Sequence, residues 1–466
     1  MQFLSHVPLT LILLPIILLS GCSLSQAPSA RQQAALPVEQ TWHAGHDTDP
    51  RLVDDGWLSS FQDQRLPQLI EEALQNNRDL QGSAAKVAEA EARARKAGAR
   101  LLPTLDLSTG AGRSARIESP TGVQNNFNLG LEVSWEVDLW GRLRSEKQAQ
   151  ALDAIAEATN FEFARLSLAA LVAESWFVTI GNKVQLSLEE DILELERNIQ
   201  DVVQKRVSAG AVLQADLNVA KADTARAQEN VVRSQGSLAE SVRSLEVLLG
   251  RYPAAELEIA DQLTPIPVGV PAGLPSELLE RRPDIVARDR QVAAAFNRTQ
   301  AARAARLPRL ALTGSIGGTS DSLPNILNPT NVAWSIGTNL LAPIFDGGRR
   351  RADVDISTAQ QEQALAAYAS TALKAFQEVE TALVNEQVLK AREARLTTVA
   401  DELAEAVRLT QLRYNVGEID LLSLNQVKKE YFSARRNLLQ VQIERLKQRV
   451  NLHLALGGSF ENRPQI

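Results

Sequence analysis

Residues 127–139 read Phe-Asn-Leu-Gly-Leu-Glu-Val-Ser-Trp-Glu-Val-Asp-Leu. Phe127, Leu129, Leu131, Val133, Trp135, Val137 and Leu139 are apolar, and the residues between them are polar or tiny. Seven consecutive matches to period two specify a strand with one apolar and one polar face. At roughly 3.3 Å per residue the stretch covers about 43 Å, longer than most strands of soluble sheets. Just upstream, Thr104 starts a partner strand with Leu105 and Leu107 facing outward, and the polar stretch Ser114–Asn126 makes the loop between the two.

The same arrangement returns later in the chain. Leu310, Leu312 and Ile316 mark one strand, Ser320–Thr330 a loop, and Val332, Trp334, Ile336, Leu340 and Ile344 the other, with Thr338 and Ala342 as weaker members. A shift of 205 carries Asp79 onto Asp284, Val87 onto Val292, Pro103 onto Pro308 and Leu105 onto Leu310. A shift of 207 carries Gly141-Arg142 onto Gly348-Arg349, and Arg206/Gly210/Val212 onto Arg413/Gly417/Ile419. A repeat of this size is far too long for a solenoid unit and marks a duplicated domain. The expected layout is repeat one over residues 61–262, with strands at about 104–139, repeat two over 263–460, with strands at about 309–345, and a tail at 461–466.

The rest of each repeat is helical. A stripe from Leu66 through Leu69, Ile70, Ala73, Leu74, Leu80, Ala84 and Val87 predicts one helix to about Leu101, which Pro103 stops. Proline-free helices are predicted from Arg142 to Val207 and from Arg349 to Asn415, each about 100 Å long at 1.5 Å per residue. After short breaks at Ser208-Ala209-Gly210 and Asn415-Val416-Gly417, further helices run to Leu249 and Leu456, closed by Gly250 and Gly457. The opening and returning helices together match one long helix. Each repeat therefore builds one full-length rod beside two half-length rods, with a strand pair at one end.

Composition narrows the function. The chain is rich in helix formers and only 5% aromatic. Its net charge of −7 gives no electrostatic case for nucleic acid. Four histidines and one cysteine leave little for catalysis or metal binding. His43 and His46 with Asp47 and Asp49 have metal-ligating side chains but fall in a polar, extended segment, and no metal site is expected. Val7–Leu19 is an apolar stretch of h-region length, so residues 1–21 are expected to be a signal peptide. It ends Leu19-Ser20-Gly21-Cys22, which resembles a bacterial lipobox; an ordinary secretory signal is the plainer alternative. Cys22 is then the lipid-attachment residue and 22–60 a Pro/Ala/Ser-rich tether.

Four strands do not close a barrel alone. A membrane barrel needs an even number of strands, apolar outward and polar inward. Three chains supply twelve, and their helices would pack side by side into a hollow tube on one side of the membrane. A soluble sandwich with one wet face is the alternative reading of the strands.

The chain resembles the TolC/OprM family of outer-membrane efflux channels over nearly everything after residue 50. The resemblance rests on Arg281-Arg282-Pro283-Asp284, Leu307-Pro308-Arg309-Leu310, Phe345-Asp346-Gly347-Gly348-Arg349, Arg413-Tyr414-Asn415-Val416-Gly417 and the lipobox. It implies an α plus membrane-β fold: a homotrimer joining a 12-stranded outer-membrane barrel to a helical periplasmic barrel. It also implies an N-acyl diglyceride lipid on Cys22 and no other cofactor, outer-membrane lipid as surroundings, and a passive role. The implied partners are a periplasmic adaptor (membrane fusion) protein and an inner-membrane RND transporter. The two breaks become hairpin tips, with Arg206, Ser208, Arg413, Tyr414 and Asn415 on an exposed turn for adaptor contact and Gly210 and Gly417 reversing the chain; as helix caps they have a purely structural reading too. Family channels close the mouth with acids six or nine residues past the glycine. Asp216 fits, but Ser423 and Gln426 stand at those offsets in repeat two, where Glu418 and Asp420 are the nearest acids. Asp420 reads equally as a helix N-cap. Trp140 suits an interfacial belt or junction packing. The alternatives are a type I secretion outlet and a lipid-anchored structural coiled coil; no enzyme motif is present.

Overall fold

The computed structural model describes residues 28–44, 55–115, 123–267 and 269–461. Cys22, the signal segment, His46, Asp47, Asp49 and nearly all of the 461–466 tail lie outside them. The elements run α1 (Ala30–Ala34), a 3-10 turn (Trp57–Phe61), α2 (Leu66–Asn76), α3 (Arg78–Ala99), β1 (Thr104–Ala115), β2 (Val123–Val137), α4 (Arg142–Ser208) and α5 (Gln214–Leu248). Then follow α6 (Pro275–Arg281), α7 (Pro283–Ala304), β3 (Arg309–Ser320), β4 (Val332–Leu341), α8 (Arg349–Asn415) and α9 (Leu421–Ala455). The duplication is visible in length alone: α4 and α8 have 67 residues each, α5 and α9 have 35 each.

The chain divides into two compact units. One comprises Met1–Leu36, Lys86–Thr159 and Val286–Ser370, and the other Pro37–Ala85, Asn160–Ile285 and Thr371–Ile466. The first carries the four-stranded antiparallel sheet, in the order β1-β2-β3-β4. The second carries the main core. There Phe61, Leu66, Leu69 and Ile70 pack with Trp176, Phe177 and Ile180 of α4, Leu245 of α5 and Val450 of α9. Trp57 stacks on His453 at 5.5 Å and 16°.

Three expectations are corrected. The opening helix is not continuous. Asn77 turns extended (ψ 125°), donates its backbone N–H to Ala73 at 2.8 Å, and accepts Leu80 N–H on its side chain at 3.0 Å. One residue thus ends α2 and caps α3. Arg282 makes the matching break in repeat two, where Pro283 forbids a helical conformation before it. Secondly, the described parts of the 22–60 segment are held to the rest of the chain at several points and are not a free extended tether. Trp57 and Phe61 are core residues. Trp42 is buried, donates its indole N–H to the Ala272 carbonyl at 3.1 Å and lies edge-on to Phe376. The His43 and Ala44 amides both donate to the Glu380 carboxylate at 2.8 Å. Thirdly, β4 stops at Leu341, so Ala342 and Ile344 do not extend its alternation; Pro343 has no N–H for a ladder.

Candidate functional site: a two-faced sheet and paired hairpin tips

The sheet register sorts the side chains of its middle rows by polarity. Leu107 opposes Leu131, Leu131 opposes Ile316, and Ile316 opposes Trp334, forming one apolar row across all four strands. Leu105, Val133, Gly314 and Ile336 form the next. These side chains are exposed, Ile336 at 80% and Trp334 at 72%. The opposite face is polar, with the row Asp106, Glu132, Ser315 and Ser335. Ser108 donates to Glu132 at 2.9 Å, and the Ser315 and Ser335 hydroxyls share a hydrogen bond of 2.8 Å. Among the described residues, the outer edges of β1 and β4 have no strand partner. An exposed apolar face is abnormal in water and required in lipid, while two open edges call for strands from another chain.

Where β2 passes into α4, Arg142 grips Glu136 at 2.7 and 2.8 Å and Glu146 at 2.7 Å. Asp138 caps the helix by accepting the Leu143 and Arg144 amides at 3.0 Å. Trp135 and Trp140 donate to the Leu101 and Pro308 carbonyls at 2.9 and 2.7 Å. Both indoles therefore act at this junction, and Trp140 remains 48% exposed.

The hairpin tips belong to the second unit. α4 and α8 end alike: Gly210 (φ 71°) and Gly417 (φ 80°) adopt the left-handed conformation. The following residues donate back to Arg206 and Arg413 at 2.9 Å, closing Schellman-type ends. A side chain at either glycine would strain the reversal. Ser208 is exposed and donates to the Gln204 carbonyl at 3.0 Å, within its own helix. The acids then differ. Asp216 is the third residue of α5, and its carboxylate accepts Leu213 N–H at 3.0 Å. Glu418 accepts from Arg413 at 2.8 and 3.1 Å, both side chains being more than half exposed. Asp420 is the N-cap of α9 and accepts Ser423 N–H at 2.8 Å; the Ser423 hydroxyl first, and then this N–H, hold its carboxyl below the usual range.

Tyr414 departs from expectation. It is buried, not on the exposed turn, in a cluster with Ile199, Val203, Leu217, Ala220, Leu421 and Leu424. Its place on the helical face of Leu403 and Val407, at i, i+4 and i+11, was the available signal for burial. Arg206 from the other tip lies over its ring at 4.5 Å. Arg413 and Asn415 remain exposed.

Two groups escaped the sequence reading because only packing reveals them. Lys428 of α9 is 1% exposed and its Nζ has no hydrogen-bond partner among the described residues. Burial pushes its pKa down to about 8 against the pull of Glu196. Arg282 is buried with Asp284 at 2.8 and 3.0 Å and Glu378 at 2.6 Å. Burial opposes its charge, but those carboxylates outweigh it and raise its pKa. Arg281-Arg282-Pro283-Asp284 is thus a structural knot.

A sheet apolar on one face, polar on the other and open at both edges, joined to paired helical hairpins, defines a membrane channel subunit. Comparison with known proteins gives the family. The description "Outer membrane efflux protein" matches residues 69–251 and again 274–458. The chain is 30% identical over 450 residues to the cation efflux system protein CusC of Escherichia coli O6:H1, covering 95% of this chain and 97% of that one. It is 30% identical over 457 residues to the solvent efflux pump outer membrane protein SrpC of Pseudomonas putida, with 96% and 97% covered. The open-state crystal structure of the Neisseria gonorrhoeae MtrE outer membrane channel superposes with a TM-score of 0.83 at 29% identity, covering 92% of this chain and 98% of that one. The chain belongs to the outer membrane efflux protein family. It is an efflux channel of the Gram-negative outer membrane that extends into the periplasm, and its fold combines long helices with membrane strands. The family is one of channels and not a class of enzymes.

Proposed function

We propose that this chain is the passive exit duct of a tripartite, RND-type efflux pump, working as a homotrimer. The observation that carries the reading is the sheet: four strands, one lipid-suited face and two open edges. Three copies supply twelve strands and leave no edge. The repeats over 61–262 and 263–460 then each contribute one hairpin to the periplasmic mouth. Cys22 carries the N-acyl diglyceride lipid. Arg206, Ser208, Arg413 and Asn415 offer the adaptor-contact surface, with Gly210 and Gly417 shaping it and Tyr414 bracing it from beneath. Asp216 is the constriction carboxylate, while Glu418 and Asp420 are committed first to Arg413 and to the α9 cap. Relatives are named for cation, solvent and antibiotic efflux, which supports a duct for small molecules whose choice of cargo lies in the transporter. A type I secretion outlet shares the architecture and is disfavoured by the lipobox; a structural coiled coil gives no account of the sheet.

The test is to purify the protein from outer membranes, measure its native mass and reconstitute it in planar bilayers. A trimer with discrete conductance is expected. A stable monomer that does not conduct would overturn the reading.

A further inference from the structure

Among the described residues of β1–β4, Gly318 alone is buried. It stands on the apolar face, in the row Thr109, Leu129, Gly318 and Val332, at the end of the sheet remote from the helices. What covers it is the β3–β4 connection. A Cβ added at Gly318 would overlap the Ile326 carbonyl oxygen and lie 3.0 Å from its carbon and 3.6 Å from the Asn331 oxygen. The missing side chain therefore leaves a seat for the backbone of Ile326, which is the close approach that glycine permits within a strand. The connection folds down on the apolar side of the sheet and not over its polar face.

Its chemistry suits that side. From Ser322 to Phe345 the sequence carries no acidic or basic residue, whereas the matching connection in repeat one contains Arg116 and Glu118. Leu323 and Leu327 are 61% and 69% exposed. The backbone between them is closed on itself. The amides of Asn325, Ile326, Asn328 and Asn331 donate to the carbonyls of Ser322, Leu323, Asn325 and Asn328 at 2.8–3.3 Å. Thr330 N–H donates to the Asn328 side chain at 3.3 Å, and Pro324 and Pro329 have no N–H to satisfy. A backbone paired in this way loses few hydrogen bonds on leaving water, which is the condition for entering lipid.

Resting on the reading that the sheet stands in the bilayer, we propose that the β3–β4 connection is a lipid-contacting loop, which sinks Leu323 and Leu327 into the acyl-chain boundary of the outer leaflet. The apolar face leads directly into it through Val332, itself 40% exposed. With no charge of its own to meet a polar partner, the loop extends the lipid-facing surface sideways from the strand ends. The duplication has thus produced two unlike outer connections, one charged and one charge-free.

The test is fluorescence quenching in the full-length protein reconstituted in phosphatidylcholine vesicles. Leu323→Cys, Leu327→Cys and Ile336→Cys are each labelled with a thiol-reactive nitrobenzoxadiazole probe, and wild type, whose single cysteine is Cys22, gives the labelling blank. The vesicles carry phosphatidylcholine with a nitroxide either near the headgroup or near the chain end, and iodide is the aqueous quencher. The probes at 323 and 327 are expected to be quenched by the shallow nitroxide and protected from iodide, while that at 336 is quenched by nitroxide whatever the loop does. Quenching at 336 with iodide access at 323 and 327 would overturn the proposal and leave the sheet in the bilayer. Protection of 323 and 327 from both quenchers would place the loop against a neighbouring subunit, and would overturn it too. No nitroxide quenching at 336 would sink the reading of the sheet and the loop together. As a second check, Gly318→Val should lift the loop from its seat, so that the probe at 327 loses lipid quenching and gains iodide quenching; unchanged quenching in that variant would count against the seat.

Discussion

The Arg206 guanidinium lies over the Tyr414 ring at 4.5 Å, so the last turn of α4 is held to the last turn of α8 by a cation–π contact. Such contacts stabilise by about 0.5–1 kcal/mol when partly exposed. Arg206→Ala should therefore loosen both tips together: amide exchange in 199–217 and 410–424 is expected to accelerate by roughly two- to fivefold. Faster exchange confined to the first tip would show that the ring contact does not couple them. Tyr414→Ala should do more, since it also empties a buried site among Val203, Leu217 and Leu424, with a cost of about 3 kcal/mol or more.

The three acids at the tips should separate by measurement. Asp420→Ala removes the α9 N-cap and is expected to cost about 1 kcal/mol of local stability. It should leave single-channel conductance unchanged, because its carboxylate is already spent on Ser423 N–H. Asp216→Ala loses a similar capping bond but is expected to raise conductance as well, three carboxylates leaving a narrow ring. Equal conductance in wild type and Asp216→Ala would keep the channel and remove Asp216 from its constriction.

The elements with a strong period were legible in the sequence. Phe127 through Val137 alternate without a break, and the register later places each of those side chains on one face. The long helices were legible because neither α4 nor α8 contains proline and each ends at a glycine that reverses the chain. What could not be read were positions decided by distant partners. Asn77 breaks a helix its neighbours would continue, and it is held there in part by donating to the Leu248 carbonyl at 3.0 Å, 171 residues away. Lys428 carries a charge that local sequence assigns to solvent; the helices packed on it bury it. The segment around Trp42 and Trp57 has the composition of a tether, yet two large aromatic surfaces find the core of the second unit. For the tip acids, spacing singled out Asp216, and only the hydrogen bonds reveal that its carboxylate caps α5 through Leu213 N–H as that of Asp420 caps α9.

The faces of β4 give a sharp contrast. Ile336 lies on the apolar face and its neighbour Ser335 on the polar one. In a bilayer, Ile336→Arg should cost about 2–4 kcal/mol if it falls near the midplane and less toward the interface. Ser335→Arg should fold normally and change conductance and ion preference, because the polar face lines the lumen. The check is folding yield by heat modifiability on gels, followed by bilayer recording. Two equally damaging substitutions would mean that the sheet does not stand between lipid and water.

His453 supplies a pH dependence. Its ring is buried against Trp57, neither nitrogen has a hydrogen-bond partner among the described residues, and burial together with the nearby Arg449 charge pushes its pKa down to about 3. An ordinary histidine in the unfolded chain titrates near 6.5. Between those values the unfolded state binds a proton that the folded state refuses, so stability falls as pH drops through 6.5 toward 3 and has no histidine penalty above 6.5. The loss is about 1.4 kcal/mol for each pH unit below 6.5 within that window. His453→Phe keeps an aromatic ring against Trp57 and removes the titration. Acid carboxylates destabilise both proteins alike, so the informative quantity is the difference between them. The variant's midpoint in a denaturant series should rise relative to wild type between pH 6.5 and 4 and stay parallel to it between pH 7 and 8.5. Parallel behaviour across the whole range would show that His453 finds a proton acceptor, or water, that relieves its burial.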